Sequence, residues 1–130
     1  MYNGGLVVDF EKLLYPGDVL HEAGHLATMP PDIRASMSND LENNDLNQGG
    51  EMMALAWSFV ACMYLKLDPH VVFHEDGYRG AGANIVQTFR DGKYIGLPLL
   101  QWAGMAYDEV KAKEHNALPY PNMIRWLREI

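Results

Sequence analysis

The spacing of apolar side chains along the chain predicts a mostly helical protein. From Val19 the pattern is helical, and Pro30-Pro31 stops it. Ahead of it, Tyr15-Pro16-Gly17-Asp18 reads as a turn ending in a good N-cap. Residues 5–14, GLVVDFEKLL, are a short apolar segment, a strand or one to two turns of helix. Residues 32–50 are polar and rich in turn formers, a loop with a short helical piece near 33–37. Residues 51–67, EMMALAWSFVACMYLKL, are apolar nearly all round, which predicts a central helix. Asp68-Pro69 ends it, and Pro69 suits the first turn of a short helix over 70–73. Residues 75–83 read as loop. Further helices are expected over 84–90, over 97–107 and, amphipathic, over 121–129, where Met123, Ile124, Trp126 and Leu127 are available for packing. Residues 111–116 are polar. No repeat or linker divides the chain. The expectation is therefore a mainly α fold, one compact helical domain over residues 1–130, with a short strand pair near the N-terminus as its only sheet.

The candidate chemistry sits in the first helix. His21-Glu22-Ala23-Gly24-His25 fits H-E-x-x-H. Residues i and i+4 project from one helix face, so the two imidazoles can hold one Zn²⁺ at two corners of a tetrahedron. Glu22 is rotated by about 100° around the helix axis. That is wrong for the same ion, but right for reaching the fourth position, where water binds, as a general base. Solvated histidines on a helix surface would spell the same letters. Against that stand the scarcity of histidine, five in the chain, and the motif's place inside a capped helix. Gly24 lies on the histidine face and costs about 1 kcal/mol relative to alanine in mid-helix. It points to the close approach of another helix.

The second helix supplies a partner. Glu51, Ala54, Ser58 and Ala61 follow i, i+3, i+7, i+10 and share one face, and three of the four are small. Met52, Phe59 and Met63 point elsewhere. Such a stripe can pack on Gly24 and bring Glu51 to the metal as third ligand. The macrodipole gives a second reason for an acid at a helix start. Asp40, Glu42, Asp45 and His74 are rival ligands.

An H-E-x-x-H helix followed by a helix opening as Glu51-Met52-Met53-Ala54, with Leu55-Ala56-Trp57 after it, resembles the gluzincin metallopeptidases. The small size makes it most similar to their minimal (minigluzincin) and IrrE-like forms. The resemblance covers residues 18–65; its first motif is specific and its second loose. It implies His21, His25 and Glu51 as zinc ligands and Glu22 as catalytic base. The metzincin extension is absent, since Thr28 and Pro31 stand where glycine and a third histidine would be needed. Gluzincin-like sites commonly use a histidine or tyrosine to stabilise an oxyanion. His70 and His74 repeat the i, i+4 spacing, though Val71 and Val72 between them are β-branched. His74 and Tyr78 are the expected catalytic partners, Tyr94 and Tyr107 compete, and structural hydrogen bonding of both histidines near the helix end is the alternative. His115 reads as a surface residue, Cys62 as core, and Met52, Met53 and Met63 as core filler. Gly80-Ala81-Gly82 lacks the Lys-Ser/Thr ending of a phosphate loop.

Charge narrows the partners. The net charge is −7, and the ten Lys and Arg are scattered, so no nucleic-acid partner is expected. No membrane partner is expected either: the longest apolar run, residues 52–65, is too short to span a bilayer and is interrupted by Ser58. A single cysteine forbids an internal disulfide, and MYNGGLVVDFEK lacks the features of a secretory leader, so a cytoplasmic location is expected. The sequence thus reads as a zinc-dependent hydrolase, a small metallopeptidase acting on a peptide or small amide substrate. The alternative is a non-catalytic zinc-binding regulatory or structural module on the same helix pair. Glu22 favours the enzyme, because a structural site has no need of it. So small a chain offers little area for a long cleft, which leaves room for a homo-oligomer or a protein partner to complete it.

Overall fold

A computed structural model describes residues 17–36, 47–73 and 82–130. It contains α1 (Gly17–Thr28), α2 (Pro31–Ser36), α3 (Asn47–Leu65), a 3₁₀ turn (Pro69–Val71), α4 (Gly82–Arg90), α5 (Leu97–Trp102) and α6 (Glu109–Glu114). The only β pairing among the described residues is an isolated antiparallel bridge between Ala106 and Met123. The strand pair expected near the N-terminus lies outside the described residues. No described helix is long and apolar enough to cross a membrane.

The organising element is α3. From Met53 to Cys62 nearly every side chain is buried, and Met53, Phe59, Val60 and Cys62 join one core cluster with Phe73, Val86, Phe89, Leu100 and Met105. Phe59 stacks on Phe89 with ring centroids 4.7 Å apart, and Phe73 stacks on Phe89 in turn. Tyr94 meets Tyr120 edge-on at 4.6 Å, and the Tyr120 hydroxyl donates to the Ala56 carbonyl at 2.9 Å. A buried phenol with a partner adds packing area at no cost in unmet hydrogen bonds. Burial also pushes the Cys62 thiol up to about 11, with Asp68 adding to the shift, so Cys62 is an inert core residue as expected.

The short elements follow local rules. Asp68 caps the 3₁₀ turn by accepting from the His70 amide at 3.0 Å, with Pro69 in its first turn. This turn lies back against the start of α1, with the Val71 backbone in contact with Gly17.

Several sequence expectations are corrected. Helix α3 begins at Asn47, a full turn before Glu51, because the glycines at 49 and 50 are tolerated near a helix start. The core-filler reading holds for Met53 alone; Met52 and Met63 are exposed. The helix expected over 97–107 stops at Trp102. Gly104 takes φ +75°, its amide donates to Gln101 and the Met105 amide to Leu100, which closes the helix in a Schellman motif that glycine favours. The polar stretch near 111–116 is in part helix α6, capped by Asp108, which accepts from the Lys111 amide at 2.8 Å. The terminal helix expected over 121–129 does not form. The Ile124 and Arg125 amides donate to the Met105 carbonyl and the Arg128 amide to the Ala27 carbonyl, so long-range partners take the donors a helix would use. Residues 120–130 instead run as a strap over the end of α1 and the side of α3.

Candidate metal centre

The pairing of α1 with α3 is the most extensive helix–helix contact among the described elements. It depends on Gly24. A Cβ placed there would lie 3.0 Å from Ser58 Oγ, 3.1 Å from the Ala54 carbonyl oxygen and 3.2 Å from the Trp57 ring. The small-residue stripe of α3 therefore packs directly on the Gly24 backbone, as its spacing predicts. Neither Ala54 nor Ser58 has any exposed surface. Ser58 Oγ has no hydrogen-bond partner among the described residues, an orphan polar atom held in the tightest part of the crossing.

The crossing brings three chemically active side chains together. His21 Nε2 lies 3.2 Å from Glu51 Oε1, and His25 Nε2 lies 2.9 Å from Glu51 Oε2. The two Nε2 atoms are 3.1 Å apart, and the rings meet edge-on with centroids at 4.7 Å. One ligand atom from each of His21, His25 and Glu51 can be chosen so that all lie within 4.8 Å of one another. A tetrahedral zinc with bonds near 2.0–2.1 Å separates its ligand atoms by about 3.3 Å. Each imidazole nitrogen comes within about that distance of the other and of one carboxylate oxygen, so two nitrogens and one oxygen donor are compatible with a zinc-type site. These three residues are a group that can hold a metal ion.

Burial and charge are graded across the cluster. The His21 and His25 side chains are 16% and 11% exposed, against 41% for Glu51, so the group opens to solvent on the carboxylate side. Burial pushes the Glu51 carboxyl up, but hydrogen bonds from His21 and His25, with the charges of both rings, outweigh it and bring the group down to about 2 from an ordinary 4.5. Glu51 is thus an anion at any physiological pH. It stands beyond the first turn of α3, where the macrodipole has largely faded, so the histidines account for its charge better than the helix start does.

Glu22 is half-buried on α1 beside His21 and is not part of the ligand group. His74 and Tyr78, the expected catalytic partners, lie outside the described residues, as do the rival ligands Asp40, Glu42 and Asp45. Tyr94 is packed among the core aromatics and Tyr107 stacks on exposed His115 at 4.8 Å, so both rings are engaged elsewhere.

Sequence reasoning passed over two arginines. Arg34 Nε donates to the Leu26 carbonyl at 2.8 Å, and its Nη2 reaches the carbonyls of Met29 at 2.8 Å, Ala27 at 3.4 Å and Arg128 at 2.7 Å. Arg128 Nη1 donates to the Thr28 carbonyl at 3.2 Å, and its guanidinium lies 5.0 Å over the Trp102 ring. The last carbonyls of α1, which a helix leaves without partners, are thus taken by guanidinium groups. The signal was a basic residue a few positions beyond a helix end.

Comparison of the chain with family models, with curated proteins and with solved structures finds no match in any of the three. The likeness to gluzincins therefore rests on the motif and on the geometry of His21, His25 and Glu51, with no relative or fold neighbour behind it.

Proposed function

We propose that the chain is a zinc-dependent hydrolase of metallopeptidase type, with His21, His25 and Glu51 as ligands and Glu22 as general base. The observation that carries the reading is the convergence of two imidazoles and one carboxylate from α1 and α3 on a single point, with Glu22 next to the first imidazole in H-E-x-x-H order. Zinc held there would supply Lewis acidity, acidifying water and polarising a carbonyl. Glu22 would take the proton and pass it to the leaving amine. His74 or Tyr78 would donate to the developing oxyanion. The substrate is a peptide or small amide, the compartment cytoplasmic, and a second copy or protein partner completes the cleft; nucleic acid and membrane play no part.

The test is Glu22→Gln, which keeps size and shape but removes the base. The variant should retain zinc and lose hydrolysis of a broad peptide library by about 100-fold or more. A variant that hydrolyses like the wild type would rule out Glu22 as base. A zinc-loaded wild type with no hydrolysis would leave the helix pair as a non-catalytic zinc module.

A further inference from the structure

The metal helix is short, and His25 stands in its last turn, only three residues before the helix ends at Thr28. Last turns fray, because their carbonyls lack intrahelical partners. A ligand there is poorly placed unless something outside the helix holds it. Glu51 and His21 do not share this difficulty, for each has a full turn of helix on either side.

Arg34 removes the difficulty. Its guanidinium gathers carbonyls from three stretches of chain: Leu26 and Ala27 at the end of α1, Met29 just beyond it, and Arg128 in the C-terminal strap. The Leu26 carbonyl belongs to the residue next to His25. On the other side of His25, the Gly24 carbonyl accepts from Thr28 Oγ1 at 2.8 Å, and the Gly24 backbone rests on α3. His25 is therefore fixed by α3 before it and by Arg34 after it.

We propose that Arg34 is a positioning residue of the metal centre, which holds the last turn of α1 so that His25 stays in register with His21 and Glu51. The inference rests on the metal reading above. Metal–ligand distances tolerate only about 0.2 Å, so a small slackening of this turn removes one ligand of three. The planar fork is what the site requires. A lysine ammonium carries the same charge but cannot present parallel N–H groups to carbonyls from separate segments.

A simple helix cap would stabilise the fold and leave the metal untouched, and this difference sets the test. Metal-free wild type, R34K and R34Q are titrated with zinc against a chromophoric chelator, and with Co²⁺ followed by its visible absorption. Unfolding midpoints are measured without metal, so that binding does not contribute to them. Both variants should bind zinc about 10- to 100-fold more weakly and show weakened, shifted Co²⁺ bands, beyond what any fall in their metal-free midpoints accounts for. Reading two variants lets one decide if the other does not fold. A folded variant with wild-type zinc affinity and Co²⁺ spectrum overturns the proposal, as does a loss of affinity no larger than the unfolded fraction accounts for. Wild type that takes up no zinc overturns the metal reading and this inference together. Wild type that binds zinc no better than its variants overturns this inference alone.

Discussion

The core face of α3 carries Phe59, Val60 and Cys62 against a stack of aromatic rings, whereas the face turned to α1 carries Glu51, Ala54 and Ser58 against a glycine backbone. The two faces belong to one helix and are built in contrary ways. The core face contributes stability through large buried area. The α1 face is lined by small residues and leaves one hydroxyl without a partner among the described residues, but it sets two backbones close enough for side chains of both helices to converge. A surface that gathers two imidazoles and a carboxylate within 4.8 Å of one another has little slack, and small residues are how a helix pair removes it.

Breaking the core face should cost the most stability and the least chemistry. Phe89→Ala empties the ring that stacks on both Phe59 and Phe73. A loss of about 3–5 kcal/mol is expected in denaturant unfolding of the metal-free protein, with zinc affinity per folded molecule unchanged. A parallel loss of zinc affinity would show that the two faces are not independent. Gly24→Val should do the reverse. Its branched side chain meets Ser58, Ala54 and Trp57 where even a Cβ is crowded, so the helices must separate. The expected cost is about 1–3 kcal/mol, together with loss of most zinc binding by titration. Retained binding would mean that the crossing can adjust.

The Glu51 carboxylate gives a smaller effect with a defined pH window. Its folded value, near 2, is below the ordinary 4.5. A lowered folded value makes its contribution complete above 4.5 and removes it progressively as the pH falls toward 2. Since the side chain is two-fifths exposed, solvent screening keeps the contribution modest. Thermal midpoints of metal-free wild type and Glu51→Gln should differ at neutral pH, and the gap should close on acidification through that window. A gap independent of pH would mean that the carboxylate is not paired with the histidines. The smallest effect is expected from Ser58→Ala, which deletes the orphan hydroxyl from the tight face. Stability should hold or rise by up to about 1 kcal/mol. A clear loss by denaturant titration would reveal a partner for that oxygen.

How much could be read from the sequence depended on how local each cause was. The cluster of His21, His25 and Glu51 was legible because its two halves are each written in one helix: the i, i+4 histidines in α1, and the small stripe headed by Glu51 in α3. Gly24 linked them, since a glycine in mid-helix requires a neighbour. The boundaries of α5 and α6 were legible too, in Gly104 and Asp108, which were passed over in favour of the apolar pattern. The C-terminal strap was a different case. Met123, Ile124, Trp126 and Leu127 do have helical spacing, yet the backbone donors of that stretch bond to Met105 and Ala27, far away in sequence. Arg34 was legible in part, because three of its four carbonyl partners come from the end of α1 and the turn after it, but the fourth lies 94 residues away.

The central claim is that His21, His25 and Glu51 share one ion, and elemental analysis of gently purified protein tests it most directly. The wild type should carry about one zinc per chain. His21→Ala, His25→Ala and Glu51→Ala should each lose it, while Asp45→Ala and His74→Ala should keep it. A wild type that stays folded and takes up no zinc, or a Glu51→Ala variant that binds zinc as the wild type does, would contradict the account.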